Sequence, residues 1–174
     1  MKEQLLADLD ARIARHAEGD SSAVLDEQVL DVVTELTESG GPDAGSLTRV
    51  AALHLCRSQA LPPEHAEIDR RLALALYRTL HTVDPRLVPP GVRDLLGLAP
   101  PHDAAVALLA EYRRTGLADQ LERAISLLRQ EVLEHQPARP ADLQHLATAL
   151  LHRYERYREP ADLNEANELR RRLD

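Results

Sequence analysis

An all-α chain of antiparallel helix hairpins is predicted by three observations: a composition of helix formers, apolar residues spaced at the helical period, and a segment that occurs twice at a fixed offset. The chain has no Phe and no Trp, and Tyr77, Tyr112, Tyr154 and Tyr157 are its only aromatics. Leu and Ala supply most of the apolar residues and β-branched residues are few. Leu and Ala are strong helix formers, whereas a sheet would draw on Val, Ile, Thr and aromatics. At 174 residues the chain is long enough to bury a sizeable core.

Spacing places the helices in order. The first spans about 2–18, with Leu5, Leu6, Leu9 and Ile13 on one stripe, and stops at Gly19. A second starts after the Ser21–Ser22 pair, read as its N-cap, carries Leu25, Val29, Val32, Val33 and Leu36, and ends at Gly40-Gly41-Pro42. The third, about 47–60, is apolar on most sides, which implies protein all around it. The fourth, about 64–82, puts Ile68, Leu72, Ala75, Leu76 and Leu80 on a core stripe. A proline-rich elbow follows from Asp84-Pro85, with a short helix at 91–96 before Pro100-Pro101.

The C-terminal part contains the repeat. Tyr112 and Tyr154, Leu121 and Leu163, and Ala124 and Ala166 are each 42 residues apart, and Leu127 falls over Leu169. Self-similarity at a period of roughly 20–50 residues marks stacked helical units. Each copy reads as helix, turn, helix, with Gly116 stopping the first helix of one copy and Arg158-Glu159-Pro160 breaking the other. Second helices begin near Asp119 and Asp162, acids suited to a positive helix N-terminus. Ile125 and Leu128 become Asn167 and Arg170 in the second copy. That change gives the last helix the polar outer face a terminal unit needs.

The stretch YRRTGLADQLERAISLLRQEV, followed by HRYERYREPADLNEANELRR, resembles the tetratricopeptide-like repeats of about 42 residues in proteins of high-GC bacteria. Such repeats often precede a CHAT domain, a caspase-like protease module. LHLCRSQALPP with LALALYRTLHTVDPRLVPPGVRDLL resembles a further unit, so the likeness covers about 47–174. The 34-residue spacing with its Trp and Phe is absent. No protease module lies within the 174 residues, and Cys56 is not in the context of a caspase-like nucleophile. The resemblance implies a short tetratricopeptide-like solenoid and a role in protein–protein interaction. The expected organisation is an acidic helical pair at 1–46, a degenerate repeat plus elbow at 47–100, and two hairpin repeats with a polar cap at 101–174, all within one domain.

Charge and cysteine usage exclude several functions. Net charge is −8, and residues 1–50 hold 11 acidic against 4 basic side chains. No basic footprint is offered to nucleic acid or to an anionic membrane. Lys2 is the only lysine, which with the Ala, Leu and Pro usage reads as the codon bias of a high-GC genome. A lone cysteine, Cys56, forms no internal disulfide or Cys-based metal site and is expected as a buried, reduced thiol. The charged N-terminus lacks the apolar core of a signal peptide, and no apolar run approaches a bilayer span, so a cytoplasmic location is expected.

Chemistry-bearing groups are scattered. Glu131 and His135 are spaced i, i+4, and Asp142 and His145 i, i+3. Helical carboxylate–histidine pairs build metal sites in bundles, but these are fragments of the ligand set such sites need, and no metal or cofactor is expected. The absence of Phe and Trp also disfavours a cofactor pocket, which aromatics usually line. His54 reads as a satisfied core histidine, and Asp8 and Asp10 as solvated. Asp26, Glu27, Asp31, Glu35 and Glu38 read as a charged helix face, with an acidic docking surface as the alternative. Tyr112 and Tyr154 read as wedges between paired helices.

If Leu146, Ala147, Leu150 and Tyr154 face inward, then His145, Thr148, His152 and Glu155 form an exposed stripe, which the repeat offset carries onto Asp103, Val106, Ala110 and Arg113. These eight, with Tyr157, are the candidate partner groove; an ordinary solvated face is the alternative. The expected function is a non-enzymatic scaffold or adaptor that binds another protein or peptide, with homo-oligomerisation open. The alternatives are a small helical enzyme or ligand-binding protein using His54, His145 or His152, and an accessory subunit of an enzyme.

Overall fold

The computed structural model describes residues 2–38 and 43–173. Among them there are ten α-helices and no strand, as the composition predicts. The chain divides into two compact units, Met1–Leu98 and Ala99–Asp174. No described helix is long and apolar enough to cross a membrane.

In the N-terminal unit, α1 (Lys2–Ala17) buries Leu9 and half-buries Leu5, Leu6 and Ile13, then stops before Gly19 at φ +103°. Its two aspartates are ion-paired rather than simply solvated: Asp8 accepts from Arg12 at 2.7 Å, and Asp10 accepts from Arg49 at 2.9 Å. The expected second helix is two helices, α2 (Ser22–Leu25) and α3 (Gln28–Glu38). Neither serine caps them. Asp20 accepts from the Ser22 N–H at 3.2 Å, and Asp26, extended at ψ 129°, accepts from the Gln28 N–H at 3.0 Å. A short acid that satisfies free N–H groups of the next turn competes with helix continuation, and Asp26 does so here. The Gly40-Gly41-Pro42 stop lies outside the described residues.

Helix α4 (Ala44–Ala60) starts earlier than its apolar run because Asp43 caps it, accepting from the Ser46 N–H at 2.8 Å. Lys2 also bonds Asp43, and that bond, with the Ser46 N–H, holds its carboxyl at about 2. One side of α4 joins a core of Leu9, Val24, Val29, Leu36 and Leu53. The other joins Ala51, Tyr77, Leu80, Val88 and Val92. This is the enclosure its apolar circumference predicts. Cys56 is half-buried, and burial pushes its thiol up.

Helix α5 (Pro63–Val83) departs from expectation. Its buried line is Asp69, Ala73, Tyr77 and Leu80, while Ile68, Leu72 and Ala75 are exposed, Ile68 to 81%. Periodicity weighs apolar residues only, and the true seam hides an acid. Asp69 accepts from Arg57 at 3.1 Å and bonds His54 Nδ1 at 2.5 Å, and Arg57 also donates to the Val24 carbonyl at 2.8 Å. His54, 7% exposed, is thus a satisfied core histidine. A 3-10 turn (Pro85–Leu87) and α6 (Pro90–Leu96) close the unit.

The C-terminal unit consists of α7 (Pro101–Thr115), α8 (Ala118–Glu134), α9 (Pro140–Tyr157) and α10 (Pro160–Arg171). They pair as α7 with α8 and α9 with α10, and α8 also packs on α9. Prolines open α5, α6, α7, α9 and α10. At the first helical position the N–H that proline lacks has no intrahelical partner in any case, and its fixed φ suits the helix. The core is Leu109, Leu121, Ala124, Leu128, Leu146, Leu150, Ala166, Leu169 and their neighbours. Ile125 and Leu128 are buried, whereas Asn167 and Arg170 are exposed.

Both first helices end on a left-handed residue, Gly116 at φ +72° and Arg158 at φ +58°. Each donates its N–H to a tyrosine carbonyl four residues back, Tyr112 at 2.7 Å and Tyr154 at 2.8 Å. An L-residue in this region carries roughly 1–2 kcal/mol of strain, and glycine returns about 0.5–1 kcal/mol of that as unfolded-chain entropy. Arg158→Gly is therefore expected to raise stability by about 0.5–1 kcal/mol in urea unfolding; a loss would show that the Arg158 guanidinium over the Tyr154 ring, 5.6 Å from its centroid, matters more than the backbone.

Candidate functional site

The C-terminal unit brings the candidate groove residues onto adjoining helices. At the N-terminal ends of α7 and α9, His102 Nδ1 lies 2.5 Å from Asp142 Oδ1, and the His102 and His145 rings are 5.2 Å apart. Toward the other ends, Arg113 Nε donates to His152 Nε2 at 3.4 Å, and the Tyr112 and His152 rings are 5.8 Å apart. Arg156 donates to the Gly116 carbonyl at 2.8 Å. Helices α7 and α9 therefore run side by side in the same direction, held from beneath by Ala105, Leu109, Leu146, Ala147 and Leu150.

On that face Asp103, Ala110, Arg113, Glu155 and Tyr157 are exposed, while Val106, His145, Thr148 and His152 are half-buried. His152 Nδ1 also approaches Glu155 at 3.4 Å. Arg113, His152 and Glu155 thus form one linked polar row, and Asp103 stands at the opposite end of α7. Tyr157 lies under the Arg156 guanidinium at 5.5 Å. Tyr112 and Tyr154 are half-buried, and Tyr112 packs against the core.

A second constellation sits where α8 passes to α9. Glu131 and Asp142 are buried, with side chains 6% and 0% exposed, and Arg139 bridges them. Arg139 Nε donates to Asp142 Oδ2 at 2.7 Å and Nη2 donates to Glu131 Oε2. Burial alone would push the Asp142 carboxyl up; the bonds from Arg139 and His102 outweigh it and hold that carboxyl below its ordinary value. The same pairing raises the Arg139 guanidinium. His135 Nδ1 donates to the Glu131 carbonyl oxygen at 2.9 Å and lies 4.0 Å from Glu131 Oε2.

The chain matches no family model, no curated protein and no solved structure.

Sequence reasoning separated the Glu131–His135 pair from the Asp142–His145 pair, and it overlooked Arg139 and His102. The chain turns back between α8 and α9, and spacing within a helix says nothing about that. The one usable signal was the repeat offset, which brings the start of α7 beside the start of α9. An apolar cleft of about 300 Å³ between α8 and α10, floored by Val132, Leu146 and Leu169 and edged by Arg129 and Glu165, was also missed. Leu133, 67% exposed, also lines it.

Proposed function

We propose that the chain is a non-enzymatic interaction module, a tetratricopeptide-like helical-repeat scaffold or adaptor that presents the α7/α9 face to a peptide segment of another protein. The observation that carries this reading is the side-by-side, same-direction placement of α7 and α9 over a leucine and alanine floor. Such a floor fixes the surface before binding, so a partner orders little of this protein on docking. Concave repeat surfaces are used for recognition in this manner.

The charge layout selects the occupant. Asp103 stands at one end of α7, Arg113 with His152 at the other, and Val106, Ala110 and Thr148 lie between. This suits an extended segment with a basic residue near the helix starts, small side chains in the middle and an acidic residue near Arg113. A peptide of that kind, selected from a display library on the immobilised protein, is expected to bind the Arg113→Glu/His152→Ala variant about tenfold more weakly, or about 1.4 kcal/mol. The measurement is a fluorescence titration, with circular dichroism confirming the variant's fold. Equal affinity for both proteins would reject the α7/α9 face.

A further inference from the structure

Two buried carboxylates face one guanidinium, with two imidazoles beside them, His102 on Asp142 and His135 near Glu131. Glu131 and Asp142 together carry two negative charges, and Arg139 supplies one positive charge from a side chain that is 46% exposed. Unmatched charge away from water is costly, and the group best able to relieve it is a cation of higher charge. His135 stands at the rim, one helical turn past Glu131, with its side chain 41% exposed. Ligand atoms of Glu131, His135 and Asp142 all lie within 4.8 Å of one another. We propose that these three residues bind a divalent transition metal ion of the Zn²⁺ class, and that Arg139 is the resident cation which the ion displaces.

The donor set selects the metal class. One imidazole and two carboxylates suit a borderline ion such as Zn²⁺, whereas Ca²⁺ and Mg²⁺ favour oxygen-only shells of six or more ligands. A divalent ion in place of the guanidinium leaves the two carboxylates with no residual charge. Arg139 lies in the connection between α8 and α9 and is already half in solvent, so it can swing out without disturbing either helix. Small rotations of the three side chains must then shorten the spread of donor atoms to the roughly 2.0–2.2 Å metal–ligand distances of such sites, with His135 either turning its free Nε2 inward or giving up the Nδ1 bond to the Glu131 carbonyl.

The surroundings fit this role. His102 donates from Nδ1 to Asp142, orienting that carboxylate as groups behind a metal ligand do. Against His102 lies His145, whose buried Nδ1 has no hydrogen-bond partner among the described residues, so this corner holds unspent donor or acceptor capacity. Three protein ligands and an exposed histidine edge leave a coordination position toward solvent. Because Glu131 and His135 close α8 and Asp142 opens α9, the ion would tie one hairpin to the next beneath the α7/α9 face. This inference is independent of the peptide-binding reading; either can fail alone.

The test is Zn²⁺ titration of the chelator-stripped protein against a chromophoric competitor. The wild-type chain is expected to bind one equivalent, and His135→Ala and Asp142→Asn to weaken binding at least about tenfold. His135→Ala leaves the Arg139 bridge intact, so its fold is safe even where Asp142→Asn is disruptive. Arg139→Gln removes the competing cation and is expected to tighten binding, an effect that adventitious surface histidines cannot produce. His65→Ala, at an exposed histidine of the other unit, is expected to change nothing. Absence of stoichiometric binding in the wild type, binding confined to Arg139→Gln, or binding indifferent to His135→Ala would each overturn the proposal.

Discussion

Replacing Tyr77 by alanine is expected to lower the stability of the N-terminal unit by about 4 kcal/mol. Tyr77 is the only aromatic residue among the first 98 and is 1% exposed. It shares a core with Ala51, Leu80, Val88 and Val92, and Ala73, four residues before it on the same face of the helix, is also buried. Ala51 is too short to close over the space a ring vacates, and so is the buried Ala73 on the same face, so the void persists and the cost falls at the high end. Burial, with Cys56 nearby, pushes the Tyr77 hydroxyl up to about 12 and keeps it neutral across the physiological range. Tyr77→Phe, which keeps the ring and nearly its volume, is accordingly expected to cost less than about 1.5 kcal/mol. Urea denaturation followed by circular dichroism measures both, and a loss under about 1 kcal/mol for alanine would show that the ring is not the wedge of this core.

Arg153→Ala is expected to cost the C-terminal unit about 3 kcal/mol. Arg153 grips Asp162 with two bonds, Nη2 to Oδ1 at 2.5 Å and Nε to Oδ2 at 2.9 Å, and reaches Glu122 at 2.9 Å with Nη1. Asp162 has a side chain 4% exposed, so alanine at position 153 strands a buried charge. Glu122 is 47% exposed and contributes little. The double variant Arg153→Ala/Asp162→Ala is expected to recover part of the loss, because it removes both the charge and its partner. Equal or additive damage in the double variant would show that Arg153 acts through packing of its aliphatic stem instead.

Helix content and most helix boundaries were legible because spacing, prolines and glycines are local signals. Pro63, Pro90, Pro101, Pro140 and Pro160 each sit at a helix start; the breaks read at Pro89-Pro90, Pro100-Pro101 and Glu159-Pro160 are places where a new helix begins, whereas the start at Pro140 was not read from the sequence. The errors share one cause, which is that polar side chains acted structurally. Asp26 splits a helix by capping the next one, and Asp69 occupies a seam that apolar counting awarded to Ile68 and Leu72. Arg113 and His152 were legible as members of one candidate groove through the repeat offset, though not as direct partners. Arg139 was not, because its two carboxylates lie eight residues back and three residues on, across a turn that no periodicity describes.

The position of α4 governs how the first 98 residues come apart. With Leu53 on one flank and Ala51 on the other, this helix is a party wall between two leucine-rich rooms. Neither room can be emptied without wetting the back of the other, so fraying from α1 inward is opposed until the wall itself gives way. Loss of structure there is then concerted, and the amides of α4 are the last to meet solvent.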